Sequence, residues 1–161
     1  MYSKPKYIDN LTENNITEKN YTISLGYIFG IERNYHCGRN ISLYYKGTAE
    51  ADFLYITKTN YLYEIEIKLT IEDLKADLQK KHYHDYPEIK GFYYAIPINF
   101  YKNHKDTIEK ICKENNAGLL VYQEGKWNFI LKAKGRREVA ALSKERIFHY
   151  LRIFAKKWIT N

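Results

Sequence analysis

Two hydrophobic periods alternate along the chain. Residues 61–69 (YLYEIEIKL) repeat every second position: Tyr61, Tyr63, Ile65, Ile67 and Leu69 point one way and Leu62, Glu64, Glu66 and Lys68 the other, as in a strand. Upstream, ISLYY (41–45) and EADFLYIT (50–57) read as two more strands joined through Lys46-Gly47, with Lys58-Thr59-Asn60 as a tight turn. GFYYAIPINF (91–100) is almost wholly apolar, the pattern of a buried central strand. LLVYQE, Gly125 and WNFILKA predict a hairpin. The helical period appears from Glu18 to about Ile31, with Tyr21, Leu25, Ile28 and Phe29 on one side, followed by NYHCGRN as a turn-rich connection. Thr70-Ile71-Glu72-Asp73 is a variant capping box that opens a helix to about Tyr86, stopped by Pro87. Further helices are predicted over 103–115 (Ile108, Ile111, Cys112) and 138–159, the latter with Ile147, Leu151, Phe154 and Trp158 as its buried stripe. The order is α-β-β-β-α-β-α-β-β-α. With no internal repeat or linker, it implies one mixed α/β (α+β) domain over 1–161, with a loose polar lead-in at 1–17 and a basic segment at 132–161.

A chain of 161 residues that is 45% hydrophobic and 28% charged has the makings of a globular core, and no apolar run is long enough to span a membrane. The first residues, MYSKPKYIDNLTENN, lack the apolar core of a secretory signal. Cys37 and Cys112 form no repeated motif, so a reducing cytoplasm is expected. The net charge of +7 is unevenly placed. Residues 1–131 hold 17 basic and 17 acidic residues, whereas 132–161 hold nine basic residues and two acids. That asymmetry points to an anionic partner, nucleic acid first, although a chain rich in Lys, Ile, Asn and Tyr also gathers charge by composition alone. Cys37 beside His36 lacks an orienting partner for nucleophilic work, and His82-Tyr83-His84 sets two imidazoles on different helix faces, poor geometry for zinc. The 17 tyrosines fall mostly at strand positions, which favours core or sheet surface over base stacking.

Strand alternation lets Asp52, Glu66 and Lys68 share one face of a β-hairpin. Two adjacent carboxylates repel each other and attract a hard cation, Mg²⁺ or Mn²⁺, which keeps water in its open positions. A lysine two residues beyond the second carboxylate would stand beside that water, to orient it, deprotonate it or stabilise developing negative charge. Glu64 shares this face and is expected at its rim or paired with a lysine; Glu50 shares the face of Asp52 as a further candidate ligand. On the following helix, Ile71, Leu74 and Leu78 define the sheet-facing side, with Lys75 and His82 close to it, Gln79 and Tyr83 on one flank and Lys81 on the other.

D-x(13)-E-x-K across a hairpin between two helices resembles the PD-(D/E)XK nuclease superfamily, with Ala51 in place of the usual proline. The stretch EIKLTIEDLKADLQKKHYHDY, then GFYYAIP and AGLLVY, is similar to its MmcB-like branch of DNA-repair and phage proteins. The similarity covers roughly residues 50–122. Gln79 to Tyr83 also fits the QxxxY pattern of RecB-like nucleases. The resemblance implies a restriction-endonuclease-like αβββαβ core with an added hairpin and helix. It implies a Mg²⁺- or Mn²⁺-dependent DNA endo- or exonuclease of repair, recombination or phage DNA processing, working in the cytoplasm or that of a phage's host. Asp52 and Glu66 would hold the metal, helped by the Ile67 carbonyl, and Lys68 would act on the attacking water. Gln79, Lys81, His82 and Tyr83 would contact the phosphate or brace the ligands. Glu32 is a candidate for the extra acid that some relatives draw from their first helix. Arg136 and Arg137, with the rest of the basic segment, would track the DNA backbone, and paired cuts would call for a homodimer. The competing expectations are a nuclease-fold module that binds DNA or a protein without cutting, and a small transcription regulator using its basic last helix.

Overall fold

The computed structural model describes residues 17–43, 50–79 and 86–160. Helix α1 (Glu18–Gly26) runs into a π-helical turn, Tyr27–Glu32, and is followed by β1 (His36–Ser42), β2 (Glu50–Ile56), β3 (Leu62–Ile67), α2 (Ile71–Asp77), β4 (Ile89–Pro97), α3 (Ile98–Glu114), β5 (Gly118–Gln123), β6 (Lys126–Leu131) and α4 (Lys144–Thr160). The fold is mixed α/β, in the expected order. The strands form one six-stranded sheet in sequence order; β3–β4 and β4–β5 are parallel and the remaining pairs antiparallel. Short turns join β2 to β3 and β5 to β6, while α2 and α3 lie between parallel neighbours.

The period-two reading of β3 holds. Ile65 and Ile67 join Tyr21 and Leu25 of α1 and Phe29 of the π-helical turn in one core, with Tyr63 packed against it. Leu62 lies in the opposite core with Tyr150 and Phe154 of α4. On that opposite side Leu74 of α2 and Ile108, Ile111 and Cys112 of α3 pack on Phe92, Tyr94 and Ile96. The sheet thus carries α1 on one face and α2, α3 and α4 on the other. The face with three helices receives Asp52, Glu64, Glu66 and Lys68.

Four expectations are corrected. Residues 34–40 are not only a turn: His36–Ser42 is a strand whose residues pair from His36 opposite Ile56 to Ser42 opposite Glu50. Pairing with β2 outweighs the turn preference of Gly38 and Asn40. Asn40 takes a left-handed φ of 52°, and Gly38 leaves room for the Phe154 ring, with which an added Cβ would collide. The predicted strand over 91–100 ends at Pro97, and α3 starts at Ile98 rather than 103, since Pro97 suits the entry to a helix and not its interior. Helix α4 starts at Lys144 rather than 138, because the preceding segment is tied elsewhere: Lys90 Nζ donates to the carbonyls of Arg136 (2.7 Å) and Val139 (3.1 Å), and Leu142 N–H to Asn60 O. In α4 the buried residues are Tyr150 and Phe154, whereas Trp158 is 38% exposed and reaches β1, where its Nε1 donates to Cys37 O. The expected strand residues Tyr44 and Tyr45, the Lys46-Gly47 turn and the lead-in up to residue 16 lie outside the described residues.

Helix α4 is fastened to the start of β4 by Glu88, which accepts hydrogen bonds from Arg146 Nε at 2.7 Å and Tyr150 Oη at 2.8 Å. Partial burial would raise the Glu88 carboxyl, but these bonds outweigh it and hold the group below the ordinary value of 4.5. A depressed value stabilises the fold above pH 4.5, and the contribution is lost as pH falls through the lower folded-state value. Glu88→Gln is therefore expected to cost about 1 kcal/mol at pH 7, since the pair is partly solvated, and progressively less under acid. Thermal denaturation of both proteins from pH 7 downward checks this; equal stability at pH 7 would refute it.

Candidate active site

The β2–β3 ladder runs from Ile56–Leu62 to Phe53–Ile65 and stops. One more residue in the same register sets Asp52 opposite Glu66. There side chains replace the backbone pairing: Ile67 N–H donates to Asp52 Oδ2 at 2.8 Å, and Asp52 N–H to Glu66 Oε1 at 3.3 Å. Each carboxylate is thus tethered to the other's strand, and the two acids are neighbours. Lys68, one step past β3, is anchored by its N–H to Ala95 O of β4. Its Nζ lies 3.2 Å from Glu66 Oε2 and 3.2 Å from Asp77 Oδ1. Tyr94 Oη in turn donates to Asp77 Oδ2 at 3.0 Å. Asp52, Glu66 and Lys68 are brought together as the sequence implied.

The charges are held in a nearly dry place: Glu64, Glu66, Lys68 and Asp77 are each no more than 4% exposed. Burial pushes Asp52 up to about 6 against the opposing Ile67 hydrogen bond, with the negative charge of Glu18 adding to the rise. Glu66 is raised well above the ordinary glutamate range by burial, then by the charges of Asp52 and Glu64, against the pull of Lys68. Burial alone would lower Lys68; Glu66, Asp77 and Asp52 outweigh it and raise the group, which keeps the ammonium charged. The site holds more negative charge than one lysine offsets.

Asp77 belongs to the site as well, and the sequence carries a signal for it. It closes the E-I-K-x(4)-D-L-x-x-D stretch at Glu66–Asp77 and lies three residues after Leu74, on the same helix face. The structure reverses the expected roles within that turn: Asp77 is buried against the sheet and Leu78 is 39% exposed. The expected N-cap is present, with Thr70 accepting from Asp73 N–H at 3.1 Å. It fixes where α2 starts and hence where Asp77 falls.

The other candidates are placed as follows. Glu64 is not at the rim but fully buried mid-strand. Glu50 is exposed and bonds Lys157 Nζ at 3.2 Å, as a rim acid does. The first-helix acid whose charge reaches Asp52 is Glu18 and not Glu32, which lines a separate cavity with Arg33 and Lys126. Gln79 is exposed just past α2, while Lys81, His82 and Tyr83 lie outside the described residues. The Arg136 guanidinium is occupied by Tyr86 O (2.9 Å), Ile89 O (3.4 Å) and Glu138 (2.9 Å), so it braces the fold; Arg137, Lys132, Lys134, Lys144 and Arg152 are exposed. Among the described residues, no group of three or more His, Cys, Asp or Glu side chains is arranged to hold a metal ion, and no helix is long and apolar enough to cross a membrane.

No protein-family model and no curated protein matches the chain. A solved structure shares its fold: the SPO1766 protein of unknown function from Silicibacter pomeroyi is similar with a TM-score of 0.63 and 12% identity, over 90% of this chain and 88% of that one. At that identity the likeness carries the architecture of the sheet and its helices.

Proposed function

We propose that the protein is a Mg²⁺- or Mn²⁺-dependent DNA nuclease of the PD-(D/E)XK type. The observation that carries this reading is the Asp52–Glu66–Lys68 cluster, assembled where β2 and β3 part. Its donor set fits a hard divalent ion. Mg²⁺ is commonly held by only one or two carboxylates, with waters and substrate oxygens completing its octahedron. Asp52 and Glu66 supply two oxygen-donor groups whose mutual repulsion a cation would relieve. Such an ion, when bound, polarises the phosphodiester and makes water a better nucleophile.

The chain's own residues do the rest. Asp52 and Glu66 would hold the ion, each carboxylate kept in place by a backbone N–H of the other's strand. Lys68 stays protonated beside Glu66 and Asp77, so it orients the attacking water and offsets the charge that develops on the phosphate, rather than taking a proton. Asp77, held by Tyr94, positions that ammonium. The exposed cations Arg137, Lys132, Lys134, Lys144 and Arg152 offer contacts to a nucleic-acid backbone. Neutralising Arg137 and Arg152 is expected to lower DNA affinity and the slope of its salt dependence, while Arg136→Gln acts mainly on stability. Binding isotherms at several salt concentrations, with melting curves, separate these effects. An unchanged salt slope in the double variant would remove these residues from the interface.

The test of the reading is DNA cleavage with Mg²⁺ or Mn²⁺, with EDTA as control, by wild type, Asp52→Ala and Lys68→Ala. Metal-dependent cutting by the wild type alone is expected. Equal activity in all three overturns the assignment. No cutting together with no Mn²⁺ binding by calorimetry favours a nuclease-fold module that only binds.

A further inference from the structure

A second polar group is built into the fold, on the far side of β2 from Lys68. Arg39 of β1 is 6% exposed, and its buried Nε has no hydrogen-bond partner. Its guanidinium lies 5.0 Å over the ring of Trp158, which is itself pinned by its bond to Cys37 O. Among the described residues this guanidinium forms no ion pair. It lines a cavity of about 150 Å³ with Glu18, Lys19, Thr22 and Asn40, at the first turn of α1. Glu18 shares that cavity yet does not pair with Arg39. Burying a guanidinium with an unmet donor is costly. A planar, stacked arginine with free donors fits the geometry of an oxyanion, phosphate above all. The first turn of α1 and Lys19 add positive potential to the same space.

The cavity lies on the α1 face, since Arg39 is opposite Phe53, which packs under α1. Glu18 links it to the carboxylate pair, because it lines the cavity and its charge reaches Asp52, which is itself across from Asn40. We infer that Arg39 and Lys19 form a phosphate-binding subsite beside the carboxylate pair, taking a phosphate of the DNA strand next to the one cleaved. Its identification with a DNA phosphate rests on the nuclease reading; the anion subsite itself stands on the cavity and the buried arginine. Trp158 serves it as a positioning residue, by holding the guanidinium flat against its ring.

The probe is inorganic phosphate, titrated into the metal-free protein in EDTA and followed by ¹⁵N NMR at Arg39 Nε and at the amides of Lys19 and Thr22. Saturable shifts at these three residues are expected, with affinity lowered about tenfold in Arg39→Gln and a few-fold in Lys19→Gln. Lys19 is exposed, so the second variant keeps the test valid if the first does not fold. No saturable shift in the wild type, or unchanged affinity in the variants, overturns the subsite. Oligodeoxynucleotides of one sequence with a 5′-phosphate or a 5′-hydroxyl then identify the source. A preference for the phosphorylated strand that is lost in Arg39→Gln assigns a terminal phosphate. Equal binding of both strands, weakened in Arg39→Gln, assigns an internal one. Phosphate binding without binding of either oligonucleotide leaves the subsite standing and removes the nuclease reading.

Discussion

Asp52→Asn is expected to abolish DNA cleavage and, in the same molecule, to make the metal-free protein more stable. The two effects share one cause. The Asp52 carboxylate sits beside Glu66 in a poorly hydrated gap, and its protonation midpoint rises from 3.8 to about 6, burial being the first reason. A midpoint raised in the folded state means that folding opposes ionisation. Below pH 4 both folded and unfolded chains hold the proton and nothing is lost. Between about 4 and 6 only the unfolded chain ionises, and above 6 the folded state carries the full cost. A rise of about two units corresponds to about 2–3 kcal/mol. Asparagine sheds that charge and keeps an oxygen to accept the Ile67 N–H bond. Denaturation at pH 7 and pH 4 without metal is expected to show a gain that disappears at the lower pH. Cleavage with Mg²⁺ is expected to fall by at least about 100-fold, the scale of losing a central electrostatic element. A variant that is both fully active and no more stable would contradict the view that the site stores charge repulsion for a cation.

Lys68→Ala is expected to act in the opposite direction on stability. Lysine 68 is the cation between Glu66 and Asp77, each 2% exposed. Removing one partner of a buried ion pair strands the other charge, at a cost of about 3–5 kcal/mol. Burial already raises Glu66, which favours its neutral form and blunts part of this loss. Asp77→Asn added to Lys68→Ala is expected to recover a fraction of the stability and none of the activity, because the ammonium is still missing. Urea denaturation of the two single variants and the double variant gives the coupling between the residues. Additive effects would show that Lys68 and Asp77 do not interact as the 3.2 Å contact implies.

Part of the site is written in local sequence rules. The faces of β3 follow from a period of two, which backbone geometry imposes on any strand, so Glu64, Glu66 and Lys68 could be assigned to one side from their spacing alone. The helix start at Thr70 was equally local, since a threonine hydroxyl satisfies the next free N–H groups wherever it precedes a helical run. The element order and the mixed α/β class followed from such local rules added together. Strand β1 did not, because His36–Ser42 carries turn-forming residues that become a strand only when β2 supplies the hydrogen bonds.

The sequence by itself determined the alternation that aligns Asp52, Glu66 and Lys68, the cap that starts α2, and the concentration of excess basic charge after residue 131. Tertiary structure alone decided which charges are buried and which are spent. It turned Asp77 inward and Leu78 outward, engaged Arg136 with backbone carbonyls, brought Glu18 rather than Glu32 within electrostatic reach of Asp52, and placed the ring of Trp158 over Arg39. Periodicity is a property of a few consecutive residues. Desolvation and charge pairing depend on what distant segments bring to the same few ångströms, and only the folded chain specifies that.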